Sequence, residues 1–243
     1  MKPVLEGLAS TISECYHTLR EVNCVEDVYD IIDFISEEVK NSYNHIVCKS
    51  GCADCCKGLH PPFITAAEWE YILYYINDLP KIVQDEIVRR ARWYAQEYRD
   101  ALLLQQDLIS GKLQTQQEVD QAYKTLSKAL SDTACPFLVI DRCGIYPVRP
   151  AKCRVHGNFL VQVAEDKIRV HTCLPQVNEW EEYISNQDNV RSLTLPLWNV
   201  YEKVIGILNP PNTLVASIPI WLLTHIRNNK IVEQLDPNPQ IVL

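Results

Sequence analysis

Apolar residues recur at helical spacing over most of the chain. Val4, Leu8, Ile12, Cys15, Leu19 and Val22 form one stripe, and Val28, Ile31, Ile32, Ile35 and Val39 form a second, so the N-terminal stretch is expected to fold as two helices. Cys15 lies on the first stripe and Cys24 lies one turn before Val28. Both read as small core residues, because a buried reduced cysteine packs as a small hydrophobe. Thr65-Ala66-Ala67-Glu68 is a capping box that opens a short helix through Trp69, Ile72, Tyr75 and Ile76. Pro80 then introduces what the pattern reads as the longest helix. Its stripe runs through Val83, Ile87, Ala91, Tyr94, Tyr98, Ala101 and Leu108, with Gly111 as the stop. Arg89, Arg90, Arg92 and Arg99, interleaved with Glu97 and Asp100, read as its solvated face. A further helix over 118–130 completes a helical hairpin at about 80–131.

The period changes between Cys135 and Cys173. Phe137-Leu138-Val139-Ile140 suits a short buried strand. Residues 159–163 and 168–172, joined by Ala164-Glu165-Asp166-Lys167, suit a β-hairpin. Helical spacing returns around 180–184 and 197–208, and a last helix is expected from Ser217 with Pro219 in its first turn. The tail from Asp236 carries two prolines and is left unassigned. The fold class is therefore α+β and mostly helical, with a small β element around the cysteines. The expected organisation is one domain, its cysteine region at 48–173 flanked by helices at 1–44 and 178–230.

The cysteines change this picture from a fold to a chemistry. Cys48-Lys49-Ser50-Gly51-Cys52-Ala53-Asp54-Cys55-Cys56 puts four thiols in one tight loop, with Gly51 and Gly58 as its turn residues. Thiolates this crowded repel one another unless a cation neutralises them, which points to zinc or an iron–sulfur cluster. Four more follow: Cys135 before Pro136, Cys143 before Gly144, Cys153 shortly after Pro150, and Cys173 shortly before Pro175. Eight thiols suit two four-ligand sites, or one cluster plus a mononuclear site. Adjacent residues usually diverge, so Cys55 and Cys56 more easily serve two centres than one. Arg149 and Arg154 would bring fixed positive charge and N–H donors beside the thiolates.

These residues resemble the YkgJ-like cysteine-cluster family. The resemblance rests on Cys48 to Cys56, on Cys135-Pro136-Phe137-Leu138, and on Cys143-Gly144-Ile145-Tyr146-Pro147-Val148-Arg149-Pro150-Ala151-Lys152-Cys153-Arg154, with Cys173 standing as the late single cysteine. It implies a zinc- or iron-chelating domain over 48–173. Many relatives carry an aromatic-proline pair after the arginine, where this chain has Val155-His156-Gly157. His156 is therefore an extra-ligand candidate, set against an ordinary packing histidine.

Composition bounds the rest. A net charge of -8 argues against a broad phosphate-binding surface and against docking on anionic lipid. No secretory signal is legible, and the run from 214 to 226 is too short and interrupted to span a bilayer. A cytosolic protein is expected, where clustered cysteines bind metal rather than pair. The leading reading is a metal-binding protein with a structural or redox centre. One alternative, carried by the resemblance to flagellin lysine N-methylases, is an S-adenosylmethionine-dependent protein-lysine methyltransferase. Cys48-x3-Cys52-x2-Cys55 also has the radical S-adenosylmethionine spacing, although no repeated strand–helix alternation accompanies it. Another alternative is an interaction adaptor with a purely structural metal, docking through Trp180, Trp198 or Trp221.

Overall fold

The computed structural model describes residues 2–46, 51–57, 61–186 and 193–241. Helices make up 56% of the structure, and each sheet among the described residues is a two-stranded antiparallel pair. This is the mostly helical α+β architecture read from the sequence.

Helices α1 (Lys2–Thr18) and α2 (Val25–Ser42) come first. They are followed by β1 (Phe63–Ile64), α3 (Ala66–Asp78) and α4 (Lys81–Glu97). Next are α5 (Arg99–Ile109), α6 (Gln116–Ala129), β2 (Leu138–Val139), β3 (Arg142–Cys143) and the four-residue α7 (Ala151–Arg154). The hairpin β4 (Phe159–Ala164) and β5 (Lys167–His171) leads to α8 (Leu174–Ser185) and α9 (Trp198–Leu208). Last come β6 (Ala216–Ser217), α10 (Ile218–Thr224), β7 (Ile226–Arg227) and β8 (Lys230–Ile231). Among the described residues no helix is long and apolar enough to cross a membrane.

These elements form two compact units. The first comprises Met1–Cys55 and Ala151–Leu208, and the second Cys56–Pro150 and Asn209–Leu243. In the first unit α1 and α2 pack together, and α2 also meets α7 and α9. The apolar stripes decide the faces: Leu8, Ile12 and Cys15 of one helix, with Leu19 just past its end, and Val28, Ile32, Ile35 and Val39 of the other are buried. Cys15 is a core residue as expected. Cys24 is not. It is the N-cap of α2, extended at φ -143° and exposed, because the helix begins one residue after it. Trp180 and Trp198 are buried, and the Trp180 indole donates to the Gly157 carbonyl at 3.1 Å. Gly157 has φ 82°, and its own N–H meets the His171 carbonyl at 2.6 Å. That bond closes the base of the β4–β5 hairpin.

The second unit has the larger core, built around Trp69, Ile72, Ile76, Ile87, Tyr94, Phe137 and Trp221. The Thr65–Glu68 capping box forms as read, with both reciprocal hydrogen bonds present. An equivalent box at Thr115 and Glu118 opens α6. Trp221 stacks on Trp69 with ring centroids 6.1 Å apart, and its indole donates to the Ile64 carbonyl at 3.1 Å. His225 is fully buried there: its Nε2 accepts the Asp236 N–H at 2.9 Å and its Nδ1 lies 2.7 Å from the Trp221 carbonyl. Through this bond, and through the Gln106 side chain bonded to Pro239 and Ile241, the unassigned tail finds its partners.

Two expectations fail in this unit. The helix after Pro80 is two helices, broken at Tyr98 (φ -113°, ψ 31°). Ile140 is not in a buried strand: it forms, with Asp141, the two-residue turn of the β2–β3 hairpin and is 90% exposed. Both turn residues have positive φ, 48° and 56°, as the tight hairpin turn requires.

Candidate metal centre

The chain passes from the first unit to the second between Cys55 and Cys56, and returns between Pro150 and Ala151. Cys52, Cys55, Cys153 and Cys173 thus belong to the first unit, and Cys56, Cys135 and Cys143 to the second. Cys48 lies outside the described residues, as does Gly58. The described cysteines all carry reduced thiols.

In the second unit three of the thiol-bearing residues are tied together. Cys56 ends the 3-10 turn Asp54–Cys56, and its carbonyl accepts the Cys135 N–H at 2.9 Å. An isolated bridge between Lys57 and Ala134 extends that pairing by one residue. Lys57 also reaches Asp141 at 2.8 Å, an exposed pair that adds little stability. Cys143 sits opposite Leu138 in the β2–β3 hairpin. Gly144 follows it closely under strand β2: its N–H donates to the Phe137 carbonyl at 2.8 Å, and a Cβ there would approach the same oxygen to 3.3 Å. The Cys56 thiol hydrogen-bonds Cys143 and, against the opposing effect of burial, pushes the Cys143 thiol down to about 7. The Ile145 backbone and the Arg149 guanidinium act in the same direction. Arg149 is held for this by a 3.0 Å hydrogen bond to the Tyr146 carbonyl and by stacking 3.9 Å over the Tyr146 ring. A thiol whose pKa is near neutrality is partly ionised and ready to bind a cation.

The first unit arranges its thiols differently. Gly51, at φ 90°, turns the chain into Cys52. The Cys52 thiol is pushed up by burial, with Asp54 and Cys55 beside it, and it donates to the Asp54 carboxylate at 3.3 Å. Cys153 rides on the short helix α7, which starts immediately after Pro150. Cys173 is the N-cap of α8, and its carbonyl takes the Val177 N–H at 3.0 Å. Arg154 is buried; its guanidinium pairs with Asp33 on α2 and covers the Tyr29 ring at 4.3 Å. The sequence assigned Arg154 to the thiolates, and nothing in its spacing pointed to an acid 121 residues away.

A pair of histidines lies between Cys153 and Cys173. The His156 and His171 rings are 4.2 Å apart between centroids. Burial, with the other charges nearby, depresses both, to about 3 for His156 and about 4 for His171. His171 Nε2 lies 3.2 Å from the Lys152 carbonyl, whereas His156 Nδ1 is enclosed with no hydrogen-bond partner. The sequence offered His156 as an extra donor and passed over His171. Its position two residues before Cys173 was the available signal.

Among the described residues no group of three His, Cys, Asp or Glu side chains is disposed to hold an ion. The donors themselves fit zinc or an iron–sulfur centre: they are soft, reduced sulfurs, and one is drawn toward its thiolate by a neighbouring thiol and a guanidinium. No curated protein and no solved structure matches the chain significantly. A profile of the CxxCxxCC family, described as "Putative zinc- or iron-chelating domain", matches residues 47–174, just over half of the chain. The chain departs from that name in one gap, with three residues rather than two between Cys48 and Cys52. On this match the chain belongs to the CxxCxxCC family.

Proposed function

We propose that this protein binds zinc or an iron–sulfur cluster through Cys48, Cys52, Cys55, Cys56, Cys135, Cys143, Cys153 and Cys173, and works in the cytosol as a metal-chelating protein. The observation that carries the reading is the Cys56–Cys143 thiol contact, with Cys135 tied to the Cys56 carbonyl. Reduced thiols held this close in a packed unit repel as thiolates and are satisfied together by a cation. The passage between units at Cys55–Cys56 supports a second element of the reading, that these neighbours belong to different ligand sets. Arg149, with its charge acting on Cys143, offsets the negative charge of a tetrathiolate centre.

The centre is structural first. A structural zinc site contributes about 10–16 kcal/mol of apparent binding free energy, against about 5–15 kcal/mol for the net stability of a whole domain. An iron–sulfur cluster on the same ligands adds electron transfer. Anaerobic purification followed by metal and acid-labile sulfide analysis tests the reading. Stoichiometric zinc in a colourless protein selects the structural form, and iron with matching sulfide and a brown colour selects the cluster. A folded protein that takes up neither would falsify the proposal.

A further inference from the structure

In the second unit the polypeptide holds two thiols in contact from both sides. Cys56 and Cys143 share a thiol–thiol hydrogen bond. Lys57 bridges Ala134 in antiparallel register, and next to that bridge the Cys56 carbonyl takes the Cys135 N–H at 2.9 Å. This pairing fixes the backbone beneath Cys56. Cys143 is fixed by its place opposite Leu138 in the β2–β3 hairpin, and by the following Gly144 N–H on the Phe137 carbonyl at 2.8 Å. The Leu138 N–H on the Cys135 carbonyl, at 2.9 Å, ties the two anchors to each other. Cys135 and Cys143 also pack against the apolar core.

Two sulfurs in hydrogen-bond contact need only close to a covalent distance of about 2.05 Å to become a disulfide. Both residues are half-buried rather than sealed, which leaves a path for a small oxidant. Cys52 of the first unit offers a contrast, because its thiol donates to the Asp54 carboxylate at 3.3 Å. In a reducing compartment a disulfide is transient and serves sensing or catalysis rather than stability.

We propose that Cys56 and Cys143 form a reversible disulfide, and that this bond and the bound ion exclude each other. The exclusion rests on the chelation proposed above; the bond itself does not. The oxidant is a low-molecular-weight disulfide, RSSR. One thiolate of the pair attacks a sulfur of RSSR, breaks its S–S bond and releases the first RSH, which carries off the thiol proton. The other thiolate then attacks the mixed disulfide, closes the Cys56–Cys143 bond and releases the second RSH. Two protein thiols are thereby oxidised and one RSSR is reduced to two RSH. The thiolate is the form that ligates metal, so closure withdraws two of the unit's three cysteines from coordination.

The test exposes the full chain, held in buffers of set free zinc, to mixtures of reduced and oxidised glutathione. Under limiting oxidant, acid quenching, alkylation and peptide mass mapping should find Cys56 joined to Cys143 as the first cross-link. Cys56→Ser and Cys143→Ser should each lose the link and leave the surviving thiol glutathionylated, whereas Cys135→Ser should keep the link. The wild-type map needs no variant to fold. Once zinc saturates the site, each tenfold rise in free zinc should require a tenfold higher oxidising ratio, about 30 mV in midpoint. A chain that binds zinc but forms no link, or joins another pair first, keeps the chelation reading and overturns this inference. A midpoint indifferent to zinc in a zinc-binding chain overturns the exclusion. A chain that forms the link but binds no metal overturns the chelation reading and keeps the pair.

Discussion

The two units hold their share of the family cysteines by different means. The second unit surrounds Cys56, Cys135 and Cys143 with backbone pairing and a guanidinium, below a core anchored by stacked tryptophans. The first unit carries Cys153 and Cys173 on segments that also bear His156 and His171, whose rings meet, and its buried Arg154 pairs with a carboxylate and covers a tyrosine ring. One set is preorganised by the chain that carries it. The other shares its segments with groups that pack among themselves. The lesson is that one cysteine motif can give its thiols unequal surroundings, and the groups around a thiol tune what it can bind.

Removing metal should be the harshest way to break the comparison. Under the chelation reading, stripping the ion costs about 10 kcal/mol or more. Cys143→Ser and Cys153→Ser should then each abolish one step of a two-step metal release, monitored by chelator titration with circular dichroism. A single shared step in both variants would show that the two sets act as one centre. The next effect is confined to the second unit. Trp221→Ala removes a fully buried indole and its bond to the Ile64 carbonyl, and should cost about 3–5 kcal/mol in denaturant unfolding.

A smaller effect should follow from pH. Burial holds His225 below the ordinary histidine value, so the fold takes it neutral. Its contribution is therefore complete above about pH 6.5 and is lost as the pH falls below that toward the depressed value. Melting of the wild type should decline on acidification through this window, and His225→Gln should flatten that decline. Equal slopes in the two proteins would remove His225 from the account. The smallest expected change is a gain. Ile140 is β-branched at φ 48° and 90% exposed, so it carries backbone strain without burying its side chain. Ile140→Asn should raise the stability of the β2–β3 hairpin's unit by about 1 kcal/mol. The counterpart turn at Asn228 and Asn229, also at positive φ, already uses asparagine at both positions.

Much of the fold was legible because it is written in local chemistry. The Thr65–Glu68 box, the β4–β5 alternation and Pro219 after Ser217 each specify a start or a turn within a few residues. The break at Tyr98 was not legible. The Tyr98 N–H still reaches Tyr94 at 2.9 Å and the Leu102 N–H still reaches Tyr98 at 3.0 Å, so the apolar stripe passes through the interruption in register. Ile140 misled because a β-branched residue prefers the strand that it in fact terminates. At the candidate site, the thiols could be named from spacing, but their neighbours could not. The Arg154–Asp33 pair and the His156–His171 contact depend on how distant segments pack.

The passage of the chain between units has a consequence for synthesis. The cysteines of the second unit all lie in its one segment at 56–150, whereas the first unit draws its cysteines from both 1–55 and 151–208. A ribosome adding about 5–20 residues per second delivers Cys153 some 5–20 seconds after Cys55. For that interval the early thiols of the loop are made but their later companions are not. Under the chelation proposed above, loading of the first unit must wait until Cys153 and Cys173 are made, with the early thiols held reduced until then.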